Sequence, residues 1–395
     1  VPDTTIAPPT NRHDGTPGAL VLPSVDGDLP YERVIPADRW LGCLLAGAVG
    51  DALGAPVEFL SLAEIRTRFG ADGLTDYTPA YGGRGRITDD TQMTLFTAEA
   101  MIRGHVGKRL MFFEQQPGSV LQHAYQRWYH TQGTPWHRAG GSYAMEAEPD
   151  GWLVRVPELH HRRAPGATVL TALKGFADGA ERGLLSRRIN NSKGCGAVMR
   201  AAPCALWSED PLDCFVVAAQ AGALTHGHPT GFLSAGALAF VVHRLLDGAD
   251  LPTALAEVRA ELVTWEESEE TVAALDAAVD LAERGRPTPE QLESLGGGWI
   301  GEEALAIGVC AALVADDLAD GLRLAVNHSG DSDSTGAICG NLLGAVHGLP
   351  AVPPGWLAEL ELREVMERLG RDALVEFSPA NPLEDPTWRE RYPAW

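Results

Sequence analysis

The stretch Gly330-Asp331-Ser332-Asp333-Ser334-Thr335-Gly336-Ala337-Ile338-Cys339-Gly340-Asn341-Leu342-Leu343-Gly344 decides how this chain is read. It places two carboxylates and several hydroxyls at the opening of a helix, and then repeats glycine once per turn at Gly336, Gly340 and Gly344. Glycine costs a helix about 1 kcal/mol relative to alanine. A stripe of it therefore predicts a helix whose backbone lies close against another. Gly42, Ala46 and Gly50 repeat the same spacing near the start of the chain. In a membrane this spacing would suggest dimerising spans, but these segments are short and polar, so a compact soluble bundle is expected.

Working outward, helical periodicity dominates over residues 40–53, 90–103, 120–130, 168–182, 212–224, 231–246, 252–265, 270–284, 302–315 and 334–347. Strand-like alternation is scarce, and Gly/Pro-rich connections are expected at 80–86, 131–166 and 286–301. The expectation is one compact all-α domain over 36–395, preceded by a disordered or extended tail over 1–35, where Pro, Thr, Asp and Gly replace large apolar residues. No repeat period suggests a solenoid.

With 45% hydrophobic residues the chain can bury a large core, and its formal charge of −22 repels nucleic-acid backbones and anionic membranes. The apolar run at 231–246 contains Ser234, His243 and Arg244 and reads as a buried helix rather than a span. Cys43, Cys195, Cys204, Cys214, Cys310 and Cys339 form no CxxC pair and read as reduced and mainly structural. With no secretory pattern at the start, a cytoplasmic protein is expected.

A second acidic segment, Ile87-Thr88-Asp89-Asp90-Thr91-Gln92, also opens an apolar-periodic helix. Helix capping explains an acid at each start, though less easily both Asp331 and Asp333. An EF-hand fails, because the position needing a bidentate glutamate is Leu342. Taken together the segments offer four carboxylates and several hydroxyls, a donor set for hard cations such as Mg²⁺, Mn²⁺ or Ca²⁺ rather than zinc. Four such charges would balance two divalent ions and would repel one another without them. Spacing alone leaves their convergence open.

At these residues the chain resembles the ADP-ribosylglycohydrolases, the group that includes the dinitrogenase reductase-activating glycohydrolase. The likeness lies in 41–59 (LGCLLAGAVGDALGAPVEF), 87–91 (ITDDT), 190–203 (NNSKGCGAVMRAAP), 224–228 (LTHGH) and 327–336 (NHSGDSDSTG). The resemblance implies an all-α single-domain fold with a central binuclear metal cleft. Its two divalent cations, Mg²⁺ or Mn²⁺ with Ca²⁺ as an alternative occupant, would be held by Thr88, Asp89, Asp90, Asp331, Asp333 and Ser334. Serine stands at 334 where many members have threonine, and Thr335 is a second source of the hydroxyl. Glu58 would gate the centre, and Asp51 would brace a helix end behind it.

By the same resemblance Ser192, Gly194, Cys195 and Gly196 form a diphosphate loop whose small residues admit phosphate to backbone amides, and His226 lies toward the substrate. A plain glycine turn and a structural histidine are the alternatives. Thr225-His226-Gly227-His228 has no third ligand and is a poor zinc site. Trp299, after Gly296-Gly297-Gly298, lines the cleft or packs in the core. The activity implied is hydrolysis at the anomeric carbon of ADP-ribose, with metals orienting water and Asp331, Asp89 or Glu58 moving protons. The substrate expected is ADP-ribose on a modified protein, with arginine the favoured acceptor and a cognate ADP-ribosyltransferase as a further partner. Competing readings are a non-catalytic binder of ADP-ribose or of such a transferase, and a two-metal phosphohydrolase that would cut the diphosphate.

Overall fold

The computed structural model describes residues 32–110, 117–379, 382 and 385–394. The sequence folds as α1 (Ala37–Gly54), α2 (Leu62–Phe69), α3 (Asp89–Arg109), α4 (Pro117–Thr131), α5 (Trp136–Ala139) and α6 (Ala167–Ala177). There follow α7 (Pro211–Ala223), α8 (Pro229–Leu246), α9 (Leu251–Leu262), α10 (Glu269–Glu283), α11 (Pro289–Leu292) and α12 (Gly301–Val314). The chain closes with α13 (Leu318–Val326), α14 (Ser332–His347), α15 (Pro354–Glu359), α16 (Arg363–Glu376) and α17 (Pro386–Arg391). Among the described residues the only β-type pairing is isolated bridges, so the all-α expectation holds.

The glycine stripes meet. A Cβ on Gly336 would lie 2.5 Å from the Gly50 carbonyl oxygen, one on Gly340 2.1 Å from that of Ala46, and one on Gly344 2.1 Å from that of Gly42. α1 and α14 thus dock backbone to backbone, and this contact is the most extensive between any two helices. It fixes the start of α14 beside the end of α1. α12 and α13 cover α14, while α3 packs against α4 and α16. α3 is buried on every side from Asp89 to Gly107, which explains why its sequence shows no polar face. α8 is apolar and long enough to cross a membrane by length and composition, yet 94% of it is buried inside the protein.

Most expected helices match within a few residues, α2, α13, α15, α16 and α17 lie outside the expected set, and three further regions differ. The helix expected over 168–182 stops at Ala177, because Gly179 takes φ +97 and the amide of Ala180 turns back to the Gly175 carbonyl. The segment after the glycine loop forms 3₁₀ turns at Cys195–Arg200 and Ala202–Leu206, since Pro203 has no N–H to continue an α-helix. The connections at 131–166 and 286–301 contain α5, α11 and short 3₁₀ turns. Of the expected tail, residues 1–31 lie outside the described residues. Arg33 donates to the carbonyls of Ala205 and His243 and pairs with Asp247, and Ile35 is buried.

Candidate metal centre

The site is built at the open ends of α3 and α14. Thr88 caps α3 with its hydroxyl accepting from the Asp90 amide, and Asp331 caps α14 with its carboxylate accepting from the Ser334 amide. Capping is real at both helices, but it engages only part of the acid set. Asp51, from the last turn of α1, accepts from the amides of Thr88 and Thr91 at 3.0–3.1 Å and from the Thr91 hydroxyl. It therefore braces the start of α3 rather than the end of its own helix. Burial pushes Asp51 up to about 6, against the opposing pull of those Thr91 and Thr88 hydrogen bonds.

Glu58, only 6% exposed, lies with Asp331 and Asp333 so that one oxygen of each falls within 4.8 Å of the others. Asp90 is buried at the start of α3, where the charges of Asp51, Asp89 and Asp331 act on it. The Asp89 carboxylate accepts from the Gly166 amide at 3.4 Å, at the entry to α6. The carboxylates brought together thus come from sequence positions hundreds of residues apart. Two of their buried oxygens, Glu58 Oε2 and Asp90 Oδ2, have no hydrogen-bond partner.

Electrostatics mark the set as incomplete. Burial raises Asp333 far above the usual carboxylate range, and the charges of Asp90, Glu58 and Asp331 add to it. Asp90 is raised the same way, by burial and then by Asp51, Asp89 and Asp331, and Asp89 by burial and then Asp51. Glu58 is pushed up to about 9 by burial, then by Asp331, Asp89 and Asp51. Unpaired buried polar oxygens are costly, and an all-oxygen carboxylate set with orphaned atoms fits a hard divalent cation. The acidic cluster is therefore able to bind metal. Of the two candidate hydroxyls, Thr335 is hydrogen-bonded to the Ala325 carbonyl and the His328 ring, whereas Ser334 faces Cys195 and Met199.

In the glycine loop at 192–196 the amide of Ser192 donates to Asn190, that of Gly194 to the Ser192 hydroxyl, and that of Cys195 to the Trp299 carbonyl. Those three amides have partners within the protein. The glycines are required for a steric reason: a Cβ on Gly194 or Gly196 would come within 3.0–3.1 Å of the His226 ring. His226 is 2% exposed, hydrogen-bonded to Thr225 and pushed down to about 3 by burial and then by Arg200, so it is a neutral prop beneath the loop rather than a cleft wall. Cys195 reaches the centre itself, its thiol donating to Asp331 at 2.9 Å; burial and then the Asp331 charge raise its pKa.

Trp299 stands at the surface, 45% exposed, stacked on Phe59 with ring centroids 5.8 Å apart. Because Phe59 follows Glu58 and the Trp299 carbonyl holds Cys195, this aromatic pair borders the acid cluster. Sequence reasoning did not single out Phe59 or Gly166. Their signal is only proximity in space.

Residues 32–382 match the ADP-ribosylglycohydrolase family. The chain belongs to this family. It is 26% identical over 357 residues to ADP-ribosyl-[dinitrogen reductase] glycohydrolase of Rhodospirillum rubrum, covering 86% of this chain and 97% of that one. It is 24% identical over 349 residues to ADP-ribosylarginine hydrolase Tri1 of Pseudomonas putida (strain GB-1), covering 88% of this chain and 81% of that one. A solved structure titled ADP-ribosylglycohydrolase-related protein complex superposes with a TM-score of 0.58 at 28% identity, covering 87% of this chain and 98% of that one. This ADP-ribosylglycohydrolase thus has its acid cluster on the helical scaffold of its relatives.

Proposed function

We propose that this ADP-ribosylglycohydrolase hydrolyses the N-glycosidic bond of ADP-ribosyl-arginine on protein, using two Mg²⁺ or Mn²⁺ ions held by Thr88, Asp89, Asp90, Asp331, Asp333 and Ser334. The observation that carries the metal part is the buried meeting of Glu58, Asp331 and Asp333, with orphaned oxygens on Glu58 and on the buried Asp90 and no ion-pair partner for these acids among the described residues. Support for the arginine linkage comes from a relative whose name states it. When bound, such cations supply Lewis acidity and lower the pKa of water.

The chain's own groups do the rest. Thr88 and Asp51 hold Asp89 and Asp90 at fixed positions, and Cys195 holds Asp331. A carboxylate of this set, Asp331 or Asp89, takes the proton from the attacking water as its oxygen bonds to the anomeric carbon. The C–N bond breaks and the departing guanidine gains a proton, for which Glu58, buried beside Asp331 and Asp333, is the proposed donor. Trp299 and Phe59 close the rim. Six free cysteines favour a reducing, cytoplasmic setting.

The test is product analysis. With Mg²⁺ or Mn²⁺ the full chain releases intact ADP-ribose from ADP-ribosylated arginine, and EDTA abolishes release. AMP with ribose phosphate would establish a phosphohydrolase, and binding without turnover a recognition protein.

A further inference from the structure

The residues that lead into the acid cluster are gripped by charged side chains from distant parts of the chain. The peptide unit between Ile87 and Thr88 is held at both ends: its carbonyl accepts from Arg163 at 2.7 Å, and its N–H donates to Asp51 at 3.0 Å. The N–H of Ile87 donates to the Glu361 carboxylate at 3.2 Å, and the amide of Glu361 returns a bond to the Gly85 carbonyl at 2.9 Å. Arg163 and Glu361 close the grip on each other, both terminal guanidinium nitrogens meeting both carboxylate oxygens. The two side chains belong to residues only 5% and 8% exposed.

Unlike the acids of the centre, Glu361 has its counter-charges. Burial opposes its ionisation, but Arg163 and then Arg86 outweigh burial and lower its pKa, so this acid does not itself call for a cation. The same stretch of chain also reaches Asp89, because the Gly166 amide, three residues after Arg163, donates to the Asp89 carboxylate at 3.4 Å. The backbone is constrained beside each partner. Ala164 and Leu362, which follow Arg163 and Glu361, have φ +48 and +57, and Ala164 also precedes Pro165, where extended backbone is the norm. Non-glycine residues hold such a φ where their surroundings enforce it, most often at functional sites. The Tyr81 ring, itself at φ +49, lies over the Arg163 guanidinium, 5.8 Å from centroid to carbon.

We propose that Arg163 and Glu361 are positioning residues of the metal centre: their paired grip on the main chain at Ile87 sets where Thr88, Asp89 and Asp90 stand relative to the acids of α14. This rests on the metal reading above. A pair that served only to tie α16 to the body could have joined side chain to side chain and stopped there. This one also takes the N–H and the carbonyl of the residue immediately before Thr88, and it leaves the orientation of that peptide unit no freedom. Groups that hold metal ligands in place act on affinity as strongly as many ligands do, because a displacement of half an ångström is enough to spoil a coordination shell.

Calorimetric titration of Mn²⁺ into the metal-stripped full chain, with urea unfolding of the same samples, provides the test. Arg163→Lys keeps the charge opposite Glu361 but offers one nitrogen in place of the fork, and Glu361→Asp keeps the charge but draws it back by one methylene. Each lowers Mn²⁺ affinity roughly tenfold or more. Arg127→Lys, at the pair with Glu99 further along α3, gives the reference for a merely structural arginine: it loses stability and keeps the wild-type Mn²⁺ affinity. Wild-type affinity in Arg163→Lys or in Glu361→Asp, or a loss of affinity that Arg127→Lys reproduces, overturns the assignment alone. Wild-type protein that takes up no Mn²⁺ overturns the metal reading and the assignment with it.

Discussion

Two groups of buried charge lie along the same helix, α3, and differ in one respect. At its start, Asp89 and Asp90 meet Glu58, Asp331 and Asp333, and burial and mutual repulsion raise all those whose pKa shifts are resolved. Further along, Glu99 faces Arg127 at 2.7 Å, and Arg103 faces Asp150 at 2.6 Å. There Asp150 is lowered despite burial, because Arg103 and Arg127 outweigh it, and Arg127 is lowered only to about 10 by burial, countered by Glu99 and Asp150. The second group supplies its own counter-charges and is part of the framework. The first does not, and the missing positive charge is what marks it as a site. Burial alone would not have told them apart.

The largest expected effect tests the first group directly. Asp331→Ala removes a carboxylate from the centre and should lower kcat by about three orders of magnitude or more, measured by ADP-ribose release. Losing the α14 cap should also cost the metal-free variant about 1 kcal/mol of stability, read by urea unfolding. A wild-type rate would break the comparison at its root.

Arg127→Met should act oppositely. Leaving Glu99 buried without its partner should cost about 3–5 kcal/mol of stability, read by urea unfolding, with Mg²⁺ affinity unaltered. Loss of metal binding without loss of stability would mean that the two groups are not separate.

Gly340→Ala probes what holds the halves of the site together. Its methyl would strike the Ala46 carbonyl, so a loss of about 1–3 kcal/mol is expected, and Mg²⁺ affinity should fall with it as the starts of α14 and α3 drift apart. Destabilisation with unchanged affinity would show that the dock is not what sets the spacing of the acids.

The smallest effect is a slope. Glu58 binds a proton up to about 9 when folded, against 4.5 as an ordinary glutamate, so between those values the folded, metal-free protein holds more protons than the unfolded one. Its stability should therefore fall as pH rises across that window, and saturating Mg²⁺ should remove part of the fall. Glu58→Gln should flatten the metal-free slope; thermal melts at several pH values with EDTA would detect it, and an unchanged slope would return Glu58 to an ordinary environment.

Ten of the helices and the glycine stripes were legible because each is encoded locally, in periodicity or in repeated glycine at 336, 340 and 344, whereas α13 and α16 were not read. Both acid clusters were legible as helix openings, and the family wording at 87–91 and 327–336 tied them together. The glycine loop was legible only as a loop. Nothing local reveals that the amides of Gly194 and Cys195 are already taken, or that the loop is glycine-rich to accommodate His226. The positive φ of Tyr81, +49, was hidden inside a Gly/Pro-rich connection, since a tyrosine beside glycine carries no mark of its backbone conformation.

The sequence by itself determined ten of the helical segments, that the glycine-striped ones lie close against another backbone, and that oxygen-rich acids open two of them, because these depend on residues within a few turns of one another. Only the tertiary structure decided that Glu58 and both acid pairs share one buried space without a counter-charge, while Glu99 and Asp150 have theirs. Pairing of buried charge is a matter of distance through space, and chain order does not fix that distance until the helices have packed.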